Sequence, residues 1–278
     1  MIFFTKLSRV LIIPTFIVGL AGCGSFMSNY TDIDSPIPSQ GQEEAYISNK
    51  SDQPSDGHKK GSENMPHIDP SLAGEHILDI FFIDTHTGWK VGSGGTISKT
   101  IDGGATWEVQ ESGTKEWLDS VFFIDKDSGR AAGANGTILN TLDGGSTWNK
   151  QKIGTTEWLS KVFFVDRETG WITGTGGAIF KTRDGGSSWE AQNSGLNTAL
   201  NGIFFVDKNI GWAAGSSGFI LKTRDGGTTW EKETSETDES LTSIFFIDPY
   251  RGWGVGGKGT IIKTSDGGAK WSVQPKEK

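Results

Sequence analysis

A phrase that returns every 41 residues constrains this chain more than any other feature. Thr-x-Asp-Gly-Gly-x-Ser/Thr-Trp runs through Thr100–Trp107, Thr141–Trp148, Thr182–Trp189 and Thr223–Trp230. A fifth copy, Thr264–Trp271, carries Lys270 in place of the hydroxyl residue. Phe-Phe pairs beginning at 81, 122, 163, 204 and 245 keep the same step, as do Asp84, Asp125, Asp166, Asp207 and Asp248. A chain repeated at a fixed period of this length is one supersecondary unit copied and stacked on itself. Five glycines per copy recur in register and account for 25 of the 40, so the glycine excess marks turns and not a G-X-Y triple helix.

One unit reads as four short strands, taken in blade 1 as 77–83, 88–92, 96–100 and 106–111. The third strand has adjacent apolar residues in most copies, as in Ile138-Leu139 and Ile220-Leu221. Neighbouring strand residues face opposite sides, so both faces of each sheet are covered, as when sheets stack radially. The expectation is an all-β protein, a β-propeller of five four-stranded blades of 41 residues each. The first and last copies are as complete as the middle ones. Ring closure accounts for that without the polar caps an open solenoid needs.

The propeller occupies residues 74–278. Before it, residues 1–22 have a basic start at Lys6 and Arg9 and a short apolar run broken by Pro14, a secretory leader. The run ends Leu20-Ala21-Gly22-Cys23, which resembles the bacterial lipoprotein signal, in which the cysteine is acylated and becomes the new N-terminus. That resemblance implies a membrane anchor at Cys23 on the extracytoplasmic side. Residues 24–73 hold five of the eight prolines, nine serines, and eight acidic against three basic residues. Such a stretch buries too little apolar surface to offset its chain entropy, and it reads as a tether from Cys23 to residue 73.

Several function classes are excluded by charge and composition. The net charge is −8, and losing Lys6 and Arg9 with the leader makes it −10, which argues against nucleic acid as a partner. One cysteine permits neither an internal disulfide nor a cysteine-based zinc site. The four histidines and scattered acids show no ligand spacing, so no metal and no cofactor is expected.

The Asp-Gly-Gly phrase resembles the Asp-box, or BNR repeat, of sialidases and related propellers. In it Asp102, Asp143, Asp184, Asp225 and Asp266 accept hydrogen bonds inside a hairpin, the glycines supply the turn, and Trp107, Trp148, Trp189, Trp230 and Trp271 cover it. Equivalence by repetition makes these five sites structural, since catalysis needs one asymmetric site. The whole unit, with its IFFxD, GWxxGxxG and DGGxTW phrases, is similar to the photosystem II stability and assembly factor family. That resemblance implies a non-catalytic scaffold binding a protein partner at the membrane, although the family typically has seven blades. The alternative is a cell-surface glycan-binding module or a sialidase-like glycosidase, for which nothing pairs the required carboxylates.

Departures from the repeat mark candidate partner-binding residues. Up-and-down strand order places Arg130, Arg167, Arg183, Arg224 and Arg251 on the Asp-box face, a rim suited to gripping carboxylate or phosphate. On the opposite face Trp117 and Trp158 occupy a position held by His76, Ala199 and Ser240 in the other copies. Two rings there make a platform for a sugar or an anchor for a protein contact.

Overall fold

The computed structural model describes residues 76–275; the leader, Cys23 and the tether fall outside the described residues. Blade 1 consists of β1 (Ile77–Phe82), β2 (Gly88–Gly92), β3 (Ile97–Thr100) and β4 (Glu108–Gln110). Blade 2 is β5 (Leu118–Phe123), β6 (Gly129–Gly133), β7 (Thr137–Thr141) and β8 (Asn149–Gln151). Blade 3 is β9 (Leu159–Phe164), β10 (Gly170–Gly174), β11 (Ile179–Thr182) and β12 (Glu190–Gln192). Blade 4 is β13 (Leu200–Phe205), β14 (Gly211–Gly215), β15 (Ile220–Thr223) and β16 (Glu231–Glu233). Blade 5 is β17 (Leu241–Phe246), β18 (Gly252–Gly256), β19 (Thr260–Thr264) and β20 (Ser272–Val273). Each blade is an antiparallel sheet with its strands in chain order, so the all-β propeller with five four-stranded blades is the observed fold. The fourth strand is shorter than its sequence pattern predicts, because the Asp-box turn takes the residues up to Trp107.

The first strands are innermost: β1 packs on β5, β5 on β9, β9 on β13 and β13 on β17. Every first strand carries a bulge after its first residue, which leaves Leu78, Asp119, Ser160, Asn201 and Thr242 outside the ladder. The residue before the strand docks its carbonyl against the tight turn between second and third strands. Ala134 N–H donates to Trp117 O at 2.9 Å, and a Cβ on Gly133 would stand 1.9 Å from that oxygen, so the position admits only glycine.

Blades are joined by a repeated set of contacts. In blades 1, 3 and 4 the tryptophan of the second strand stacks on a phenylalanine of the next blade: Trp89 on Phe123, Trp171 on Phe205 and Trp212 on Phe246, with centroids 3.4–3.5 Å apart. The same indoles donate Nε1–H to the carbonyl of the first Asp-box glycine of that next blade, Gly144, Gly226 and Gly267, at 3.1–3.2 Å. Lys99, Lys181 and Lys222 donate to the same three oxygens. Stacked rings add about 0.5–1.5 kcal/mol per pair to the area they bury. These joints, not the individual sheets, hold the stack together.

Ring closure is corrected by the structure. Among the described residues β17 and β1 do not pack as the other inner strands do. Ile80 is 38% exposed, whereas its equivalents Val121, Val162, Ile203 and Ile244 are at most 4%. At the other end Ile261 is 45% exposed, while Ile97, Ile138, Ile179 and Ile220 are at most 1%. Among the described residues the terminal copies repeat the apolar pattern of the middle ones without a neighbour that covers it.

Candidate functional site

On the Asp-box face the carboxylates are consumed by their own hairpins. Asp184 Oδ1 accepts from Thr182 Oγ1 at 2.8 Å and Ser188 N–H at 2.9 Å, and Oδ2 accepts from Ser188 Oγ at 2.6 Å. The hydroxyl and N–H donors hold Asp102, Asp143, Asp184 and Asp225 down at about 2. In blade 5 Lys270 supplies only its N–H to Asp266, at 3.0 Å, and Asp266 is lowered by that bond and by Thr264. The covering indoles lie against the phenylalanine of their own first strand; Phe123–Trp148 is edge-on at 5.9 Å.

The arginines on this face divide. Arg130 is buried, 4% exposed, and does not belong to a rim. It stands where the other blades have the joint tryptophan and performs the same task. Nη2 donates to Gly185 O of blade 3, Nη1 donates to Gly129 O at 2.7 Å, and the guanidinium lies over Phe164 at 5.6 Å. Burial pushes its pKa down, and the charge of Asp125 pulls it back up. Asn140 replaces the joint lysine in this blade alone, so one long cation covers both positions. The other four are exposed and each already holds a carboxylate. Arg167 pairs with Asp125 of the preceding blade at 2.9 Å, Arg183 with Glu190 at 2.5 Å, Arg224 with Glu231, and Arg251 with Asp248 at 2.6 Å. Exposed pairs of this kind contribute about 0–1 kcal/mol and exchange partners readily.

The opposite face breaks symmetry more deeply. His76, Trp117 and Trp158 form a half-buried row across blades 1 to 3, with centroids 6.1 Å apart for the first pair and 6.2 Å for the second. The bulge of β5 turns Asp119 toward this row; bulges re-aim side chains in this way. Burial raises Asp119 to about 6, with the Trp158 indole N–H lowering it and the charge of Asp79 raising it. The indole faces the carboxylate without closing a hydrogen bond of normal geometry, and Asp119 Oδ1, Trp158 Nε1 and His76 Nε2 are all buried without a partner. Beside them Asp79 Oδ2 accepts from Val121 N–H at 3.0 Å and from Lys161 Nζ at 2.8 Å, tying three blades together. Sequence reasoning marked the two tryptophans and passed over Asp79 and Lys161. The visible signal was their shared inner-strand position, which reads Asp, Ser, Lys, Gly, Ser through the five copies. Among the described residues no group of His, Cys, Asp and Glu has the geometry to hold a metal.

A stack of four-stranded Asp-box sheets, jointed by tryptophans and decorated asymmetrically on one face, defines a BNR-type β-propeller. Its repeats match the family described as photosynthesis system II assembly factor YCF48 over residues 71–147, 112–202 and 148–234, more than half of the chain. The chain belongs to that family. Among solved structures it is similar to YCF48 bound to D1 peptide, at 27% identity and a TM-score of 0.58, covering 72% of this chain and 69% of that one. YCF48 from Cyanidioschyzon merolae is similar at 19% identity and a TM-score of 0.50, covering 72% and 85%. The GH74 enzyme of Niastella koreensis shares the fold at 17% identity and a TM-score of 0.57, covering 68% and 36%. No curated protein matches the chain in sequence.

Proposed function

We propose that this chain is a non-catalytic scaffold, tethered by an acylated Cys23 to the outer side of a membrane, that holds a polypeptide segment of a membrane-protein partner during assembly. The observation that carries the reading is the row of His76, Trp117 and Trp158 with three unpartnered buried polar atoms around it. Half-buried rings beside unsatisfied donors and acceptors are what a captured peptide completes, its side chain on the rings and its backbone on the polar atoms. The relative solved with a D1 peptide supports a peptide as the ligand class.

Capture from detergent-solubilised membranes, with the acylated chain as bait, tests this. Trp117→Ala with Trp158→Ala is expected to reduce recovery of the specific partner by about tenfold or more, the effect of losing one anchor pair. Undiminished recovery removes the row from the reading.

A glycan-directed reading has one observation in its favour. Asp119, raised to about 6, lies close enough to Asp79 to feel its charge, as a glycosidase acid and its partner carboxylate do. Asp79 is already held by Lys161 and a backbone N–H, which leaves that reading second. Release of reducing sugar from cell-wall or surface polysaccharide, abolished by Asp119→Asn, would reverse the order.

A further inference from the structure

The two ends of the stack carry the unmatched halves of the joint that the chain builds between its own blades. Each tryptophan-type joint has a donor half, an indole and a lysine, and an acceptor half, a phenylalanine ring and a glycine carbonyl 34 and 55 residues beyond the tryptophan. Blade 5 ends on a complete donor half. Trp253 is half-buried where Trp89, Trp171 and Trp212 are fully buried, and Lys263 lies over its ring at 5.7 Å with no carbonyl among the described residues to receive it. Blade 1 begins on a complete acceptor half. Among the described residues Phe82 meets Trp107 of its own blade and no indole from a preceding one, and no side chain donates to the Gly103 carbonyl. The apolar surroundings match as well: Ile261 is uncovered on the donor end and Ile80 on the acceptor end.

We infer that these end faces are an interaction surface for a second copy of this chain, with Trp253 and Lys263 of one copy docking on Phe82 and the Gly103 carbonyl of the next. The occupant is specified by chemistry the molecule displays in its interior joints: a β-sheet face presenting an aromatic ring beside an Asp-box glycine carbonyl. Blade 1 of another copy is such a face. The contact is head-to-tail, so it continues from copy to copy or closes a ring of copies, and it is not a two-fold pairing. Closure within one chain would consume both halves, and among the described residues β17 and β1 do not pack as the other inner strands do.

The test uses the full mature chain with Cys23→Ser, so that introduced cysteines are the only thiols. One preparation carries Ser265→Cys, at an exposed position two residues beyond Lys263 and outside the joint, and another Ala105→Cys beside Gly103. A short bismaleimide is expected to give a dimeric product in the mixture, far above either preparation alone, with a yield that rises with protein concentration. Light scattering on the parent is expected to show mass increasing with concentration. Trp253→Ala and Lys263→Glu should each weaken that association by about tenfold while the melting curve keeps its shape. Lys263→Glu lies on an exposed position, so it answers even if Trp253→Ala folds poorly. A single monomer mass up to millimolar concentration overturns the proposal. So does cross-linking confined to a double-cysteine chain reacting with itself, which would mean that the ring closes alone.

Discussion

Arg130 offers the sharpest test of how the blades are held. Replacing it with alanine removes donors to Gly129 O, Thr141 O and, across the joint, Gly185 O, and it vacates the face of Phe164. Hydrogen bonds from a charged donor contribute about 1.5–3 kcal/mol each, and carbonyls left buried without a donor add to the loss. Against this, a buried guanidinium that keeps Nε unpaired carries a desolvation cost that disappears with it. The balance is a loss of about 2–4 kcal/mol. For a domain of this size each kcal/mol moves the midpoint by about 2–4 °C, so thermal melts should fall by roughly 5–15 °C. The companion variant is Arg130→Trp with Asn140→Lys, which rebuilds the joint used by Trp89, Trp171 and Trp212 and leaves the net charge unchanged. It is expected to melt within about 1 kcal/mol of the parent, and Arg130→Trp alone between the two, because only the lysine restores the second donor. Circular dichroism melts of the four proteins at neutral pH decide the matter. If Arg130→Ala melts with the parent, or the double variant falls as far as Arg130→Ala, the joint assignment is wrong.

Three further outcomes are expected. Asp184→Ala strips the hairpin of its acceptor and should cost about 1–3 kcal/mol with partner capture intact; equal melting with lost capture would make the box functional and not structural. Asp119 is raised in the folded state, so its ionisation opposes folding, and stability should decline as pH rises from about 4 through about 6. Asp119→Asn should therefore melt above the parent at pH 8 by about 1–2 kcal/mol after solvent screening and match it near pH 4; a parallel offset at both pH values would refute the titration. Cys23→Ala should abolish incorporation of a fatty-acid analogue and release the chain from membranes, and label retained on the variant would remove the anchor.

The repeat made the blades legible almost residue by residue, since a fixed step assigns Ile97, Ile138, Ile179 and Ile220 one role once any of them is placed. Arg130 was misread because an arginine in a turn-rich face has an exposed surface as its default reading. The clue lay in two positions ten residues apart that face each other in the sheet: Trp becomes Arg and Lys becomes Asn in the same copy, and Arg130 pairs with Asn140 across β6 and β7. The open ends were invisible for a different reason. A copied unit inherits its half of a joint whether or not a neighbour exists to receive it, so Trp253 and Phe82 look in sequence like their buried equivalents. The row on the opposite face was half legible: two tryptophans stood out, whereas the bulge that aims Asp119 at them is a property of the ladder register.

Joints built to one pattern also bear on how such a chain changes length. Because the contact between blades 3 and 4 is chemically that between blades 4 and 5, deleting or duplicating one 41-residue stretch of coding sequence there rejoins compatible surfaces. Blade number is thus free to drift in whole steps over the second half of the molecule. Blade 2 is the exception: its Arg130–Asn140 pairing and the Asp79–Lys161 tie fix blades 1 to 3 as a block, and the asymmetric face rides on that block. A lineage that gains or sheds blades can do so at the far end while handing down the same asymmetric face.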